Sequence, residues 1–214
     1  MKLIKEKLYD YLRFTEQGDP IKDLGIGLEP TIRMWMSKLN ISSYKLTKKF
    51  SINVYHNVLL SEKNISEFPP YIKFNHITGG FHCDNNKLTS LRGCPYSLSG
   101  SFMCSFNKLV NLKNGPTVVK QSYGASYDEL ESLEGIGEII GESIYINDNN
   151  LKTLEYIPPI IKKDLFIYNN PIETLEYFPK EVSGDIYFTP SKILTKISIS
   201  KICKVGGNII NFDL

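Results

Sequence analysis

Long apolar runs are missing from this chain. None approaches the roughly 18 residues that a membrane span needs, so no membrane association is expected. The opening residues, Met1-Lys2-Leu3-Ile4-Lys5-Glu6-Lys7, are charged too densely for a secretory leader. A cytoplasmic location is the expectation that follows. Cysteine is scarce, and four in 214 residues do not make a disulfide framework. Histidine is scarcer, at three, and no C-x-x-C or H-x-x-x-H spacing occurs. No metal and no cofactor is therefore expected. An excess of charge of either sign is also lacking. With 25 basic and 23 acidic residues the net charge is +2, which gives no general attraction to nucleic acid or to anionic lipid. The basic edge at Lys192, Lys196, Lys201 and Lys204 has no interleaved aromatic residues, so it does not point to nucleic acid either.

What the chain does have is one pattern written six times. From Phe81 a step of 21 residues gives Phe102, Tyr123, Ile144, Leu165 and Ile186. Cys83 gives Cys104, Ala125, Ile146, Ile167 and Phe188 by the same step. Leu88 and Leu91 each open a further apolar column, and Leu98 recurs as Val119, Ile140, Ile161 and Val182. A fixed period of this length predicts a solenoid, in which each coil buries its apolar face against its neighbours. Alternation around positions 81 and 83 predicts short parallel strands with one face inward. Strand starts at 58, 81, 102, 123, 144, 165, 186 and 209 are expected, the outer two steps being 23 residues. With 42% hydrophobic residues the chain can fill one sizeable core.

A column of asparagines follows each strand: Asn86, Asn107, Asn149 and Asn170, with Asp128 interrupting. A tight coil buries backbone groups that need partners. A carboxamide both donates and accepts, so this column is expected to tie one coil to the next. An ionised Asp128 only accepts, so a local adjustment is expected there. Pro95, Pro116, Pro158 and Pro179 share one place in the turn and favour extended backbone over helix on the back of the coil.

Before the repeats, residues 1–14 carry a helical stripe of Leu3, Ile4, Leu8, Tyr11 and Leu12, ended by Gly18-Asp19-Pro20. Gly25-Ile26-Gly27 is a loop without the flanking strand or Lys-Ser/Thr of a phosphate cradle. Pro30 fits the first turn of a second helix whose stripe is Ile32, Trp35, Met36 and Leu39, placed to seal the open end of the solenoid. Leu46, Phe50, Ile52 and Val54 alternate as one half-buried strand would. The expected layout is a helical cap with a capping strand over residues 1–57 and a solenoid over 58–214, closed by a strand near Ile209.

The strand, Asn86, Leu88, Leu91 and Pro95, with their echoes, resemble the leucine-rich repeat family. The resemblance is greatest to the short bacterial type, where an extended Pro-containing segment replaces the helix on the convex face. The whole chain is also similar in style to uncharacterised leucine-rich-repeat proteins of bacteriophages, in which a segment like residues 18–27 precedes the repeats. The resemblance implies a mostly β, right-handed, helix-poor coil with a parallel sheet on its concave face. It implies protein binding on that face and no catalysis by itself.

The outward columns are where such binding would lie. One holds His82, Met103, Gly124, Tyr145, Phe166 and Tyr187, and the other Asp84, Ser105, Ser126, Asn147, Tyr168 and Thr189. Tyr145, Phe166, Tyr168 and Tyr187 gather rings on adjacent strands, and aromatic residues dominate interface hot spots. These four, with His82 and Met103, are the candidate partner-binding residues. The competing account is aromatic fill that stiffens the sheet or lies under the C-terminal tail. Asp164 and Asp185 open the same strands and form a candidate polar rim. No catalytic residue is expected. His82 and Cys83 are adjacent on a strand and so face opposite sides. Asp84 and Asp164, four coils apart at roughly 19 Å, are too far apart to share one small substrate. The expected function is a non-enzymatic module gripping a host or virion protein, the alternative being a structural component that assembles through its ends or its helical cap.

Overall fold

The computed structural model describes residues 27–212. The first expected helix and the loop up to Ile26 lie outside the described residues. Helix α1 (Leu28–Lys38) has Pro30 in its first turn, Glu29 near its N-terminus and Lys38 in its last turn. It buries Thr31, Ile32, Trp35 and Met36, and Leu39 just beyond it packs on the core. Trp35 meets Phe68 and Phe74, each ring centroid 6.3 Å away, so the helix does cover the first coil.

The segment expected to be one strand is a hairpin. Strands β1 (Tyr44–Leu46) and β2 (Ile52–Val54) pair antiparallel. Phe50 lies in the turn with φ of 59°, and the Thr47 hydroxyl accepts from the N–H groups of Lys49 and Ser51. Alternation of apolar residues continued across the turn, which hid it.

The solenoid follows with two strands per coil. The front strands are β3 (Val58–Leu59), β5 (Phe81–His82), β7 (Phe102–Met103), β9 (Tyr123–Gly124), β11 (Ile144–Tyr145), β13 (Leu165–Phe166), β15 (Ile186–Phe188) and β17 (Ile209–Asn211). They form one eight-stranded sheet, parallel throughout. Its register is the repeat itself: Phe81 opposes Phe102, then Tyr123, Ile144, Leu165 and Ile186. The two 23-residue steps pair Val58 with Phe81 and Ile186 with Ile209.

The back of the coil is extended, as the prolines require, but it is also paired. Strands β4 (Phe74–Ile77), β6 (Ser97–Leu98), β8 (Val118–Val119) and β10 (Ile139–Ile140) continue the hairpin into a six-stranded sheet. Strands β12 (Ile160–Ile161), β14 (Glu181–Val182) and β16 (Lys204–Val205) form a second, three-stranded one. The break falls at Pro159. In two other coils the residue at that place donates its N–H backward, Thr117 to Tyr96 O and Lys180 to Pro159 O. Proline has no N–H to give. The lysine-rich stretch near residue 200 contains helix α2 (Lys196–Ile202), capped reciprocally by Thr195 and Ser198.

Between front and back sheets lies a continuous core built from the expected columns. Phe81, Phe102, Tyr123, Leu88, Leu109, Leu130 and Leu151 are fully buried. Rings run in sequence from the cap inward, Trp35–Phe68–Phe81–Phe102–Tyr123, with centroids 5.1–6.3 Å apart. The asparagines tie the coils. Asn86 Oδ1 accepts from the N–H groups of Lys63 and Ile65 in the preceding coil, at 3.0 and 2.9 Å. Its Nδ2 donates to Leu60 O and Cys83 O at 2.8 and 3.0 Å. Asn107, Asn149 and Asn170 repeat this arrangement.

Asp128 keeps only half of it. Oδ1 accepts from the N–H groups of Asn107 and Leu109, but Oδ2 is buried without a partner. The carbonyls that flank the gap show what is missing. Cys83 O and Ile146 O each accept from two asparagines, whereas Cys104 O accepts only from Asn107 and Ala125 O only from Asn149. Burial raises the Asp128 pKa to about 7 against the lowering effect of the Leu109 and Asn107 N–H groups, with Asp84 and Glu129 adding to the rise. A protonated carboxyl supplies the donor that an ionised one lacks.

Candidate functional site

The outer face of the front sheet carries three columns of side chains, set side by side by the parallel register. The first is His82, Met103, Gly124, Tyr145, Phe166, Tyr187 and Ile210. Neighbouring parallel strands sit roughly 4.8 Å apart, which is close to ring-stacking distance. Tyr145 stacks on Phe166 at 4.5 Å and Phe166 on Tyr187 at 4.3 Å, nearly parallel. The ring faces are thus turned on one another and the edges are left outward. The Tyr187 hydroxyl donates to Asp185 Oδ2 at 3.3 Å. Met103 lies over Gly124, where a Cβ would come within 2.6 Å of its Sδ. His82 leans on Gly80 in the same way. The six sequence-derived candidates therefore fall into two groups. Tyr145, Phe166, Tyr187 and the adjacent Tyr168 lie together, while His82 and Met103 stand on the far side of the Gly124 coil.

The second column turns polar at its centre. Ser126 and Asn147 are buried, and the Ser126 hydroxyl donates to Asn147 Oδ1 at 2.7 Å. Asn147 Nδ2 donates to Asp148 Oδ2, and Asn169 Nδ2 donates to Asp148 Oδ1, both at 2.7 Å. The Thr189 hydroxyl donates to Asn169 Oδ1 at 3.1 Å. Tyr168 stacks against Phe212 at 4.0 Å. Phe212 arrives from two coils away, past the smaller Thr189. The tail thus covers one face of Tyr168, as the competing account supposed for the patch.

The third column was not singled out from the sequence. Asn85, Phe106, Tyr127, Asp148 and Asn169 follow the strand at the same 21-residue step, and all have φ between 53° and 58°. Asn and Asp enter this left-handed region readily, whereas a bulky aromatic residue does so at a cost of about 1 kcal/mol. Phe106 and Tyr127 are nonetheless there, 49% and 47% exposed, stacked at 4.5 Å and 6°. Counting the period from Asn85 reveals them. The negative charge of Asp148 in the next coil raises the Tyr127 pKa. The Tyr168 pKa is raised by partial burial and then by Tyr127 and Asp148, which places these three groups within one electrostatic neighbourhood.

Other chemistry is less well provided for. All four cysteines are free and buried, and burial pushes the Cys94 and Cys104 thiols well above their usual range, away from the reactive thiolate. Among the described residues no three His, Cys, Asp or Glu side chains converge as a metal site. No helix among them is long and apolar enough to cross a membrane. A cavity of about 430 Å³ opens on the back near Lys73, Arg92, Asn75 and Tyr96, with two cations and no carboxylate or histidine in its lining. No protein-family model, no curated protein and no solved structure matches this chain.

Proposed function

We propose that this chain is a non-catalytic protein-binding module that engages its partner through the outer face of the front sheet. One observation carries the reading. From β11 onward the rings of Tyr145, Phe166 and Tyr187 stand outside the core, half-exposed on a rigid parallel ladder. Rings fixed by stacking lose little freedom on binding, which favours them as anchors. The leucine-rich-repeat resemblance supports the same face, and the likeness to bacteriophage proteins makes a host or virion protein the partner to seek.

The test is affinity capture from bacterial lysate with wild type and with Tyr145→Ala/Phe166→Ala/Tyr187→Ala, each checked for intact fold by circular dichroism. Partners captured by the wild type should be lost from the folded triple variant. Retention of every partner would remove this face from consideration.

A second reading, assembly through the solenoid ends, has its own observation. The N-terminal end is covered by Trp35 of α1, whereas around α2 Ile193, Ile197 and Ile202 are 41%, 68% and 43% exposed. Light scattering separates the two: a lone binding module is monomeric, and an assembly component grows with concentration.

A further inference from the structure

Acidic groups on the two sides of the solenoid are treated differently. Glu134, Glu142, Glu173 and Glu181, away from the outward columns, each pair with a lysine at 2.8–3.1 Å. Asp148, on the front, has no ion-pair partner among the described residues. Its carboxylate is instead fixed by neutral donors, Asn147 Nδ2 and Asn169 Nδ2, both at 2.7 Å. Such donors orient a carboxylate without cancelling its charge. A carboxylate has about four lone-pair sites, so directions toward solvent remain open. The three outward columns contain two aspartates, Asp84 and Asp148, and no lysine or arginine. This face therefore offers negative charge and does not supply its own counter-ion.

The rings beside Asp148 complete the picture. Tyr127 is stacked on its N-terminal side by Phe106, so its free face is turned toward the coil of Asp148. Tyr168 is stacked on its C-terminal side by Phe212, so its free face is turned toward the same coil. The two coils bearing these tyrosines are two sheet steps apart, roughly 10 Å. A cation within about 6 Å of a ring centroid is attracted by the ring's quadrupole, a reach that lets both rings act on one charge between these coils. Two backed-up aromatic faces on either side of an oriented, uncompensated carboxylate make a receptor for a positive charge.

We propose that Asp148, between Tyr127 and Tyr168, receives a lysine or arginine side chain of the protein partner. This deepens the protein-binding reading and rests on it. The ring pairs supply desolvated contact with the stem and head of the side chain, and Asp148 supplies its counter-charge. The stacked column of Tyr145, Phe166 and Tyr187 then anchors neighbouring apolar residues of the same segment.

The experiment is an NMR titration of isotope-labelled full-length protein at low salt with three peptides: tetralysine, tetraarginine and tetra-acetyllysine. The expected result is saturable shifts at the amides of Tyr127, Asp148 and Tyr168 with a charged peptide, and none with the acetylated one. Whichever charged peptide binds more tightly identifies the preferred head group. Asp148→Asn should weaken that binding tenfold or more. Because asparagine at 148 alters the carboxamide pairing, Phe106→Ala/Tyr127→Ala serves as a second variant and should weaken binding by a similar factor. Equal binding of the acetylated peptide, shifts confined to other residues, or unchanged affinity in both variants would overturn the proposal. If Asp148→Asn fails to change either peptide binding or the proteins captured from lysate, while the Tyr145/Phe166/Tyr187 variant still loses them, the cation site falls and protein binding stands. If the triple variant loses no partner while the cation shifts persist, the opposite holds.

Discussion

In the two leading columns of the front strands, the rings are inside over the N-terminal coils and outside over the C-terminal ones. Phe81, Phe102 and Tyr123 fill the core with no exposed surface, while their outward neighbours are His82, Met103 and Gly124. One step on, the core residues become Ile144, Leu165 and Ile186, and the outward ones Tyr145, Phe166 and Tyr187. Both ladders use the same parallel register, with inner rings 5.1–5.9 Å apart and outer rings 4.3–4.5 Å apart. The comparison teaches that stacking is supplied by the backbone, and that placement decides its use. A ring turned inward contributes burial and stability; a ring turned outward is held stiffly for contact. The changeover falls in the coil of residues 123–143, which also has Gly124 among the outward residues, Asp128 among the asparagines and Gly137 among the prolines.

The largest effect expected from breaking this contrast is at Phe102. Phe102→Ala should destabilise the protein by about 3–5 kcal/mol, since the core ring leaves a cavity. Phe166→Ala, half-exposed in the same register, should cost no more than about 1 kcal/mol. Chemical denaturation of the two variants side by side measures the difference; equal losses would erase the distinction between the halves.

Next comes the asparagine column. Asn149→Ala strands the N–H groups of Asp128 and Leu130 and the carbonyl of Ala125 in a buried setting, while Ile146 O keeps its bond from Asn170. About 2–4 kcal/mol should be lost in the same denaturation assay.

Asp128 gives the effect with a pH signature. Its folded pKa, about 7, lies above the unfolded value near 3.8. The native state therefore holds the proton more tightly. The associated stability is fully present below about pH 4 and is lost as pH rises through 7. Asp128→Asn supplies a permanent donor toward Cys104 O and Ala125 O. The variant should match the wild type near pH 4 and exceed it at pH 8.5 by at most about 4 kcal/mol, the full linkage of this shift. Thermal melts at the two pH values check the sign; a wild-type advantage at pH 8.5 would contradict the neutral-carboxyl account.

Much of this architecture was legible because a repeat turns one-dimensional spacing into lateral neighbours. Stepping from Phe81, Asn86 and Leu88 located the front sheet, the ties and the core. Features that depend on less than a repeat were harder to read. Two-residue strands such as Val118–Val119 are too short to show alternation, so the back sheets were read only as extended chain. The Phe50 turn interrupts no apolar rhythm. At the candidate site, Tyr145, Phe166, Tyr168 and Tyr187 followed from alternation within a strand. Phe106 and Tyr127 did not, because they follow the strand at left-handed positions where alternation no longer applies. Phe212 reaches Tyr168 across a longer final coil, which the 21-residue count does not bring opposite it.

The asparagine ties reach back by a single coil, so they join each coil only to its immediate neighbours. Length is then a quantity that insertion or deletion can change without rewriting the remainder. Excision of residues 123–143 would join Phe102 to Ile144, Met103 to Tyr145 and Asn107 to Asn149 in the established register. The product would keep every other rung, possess an unbroken asparagine column and lack the one acidic member. The middle coil is thus the single module whose removal would make the molecule more regular, and its retention gives this solenoid an address along its axis that the other repeats do not provide.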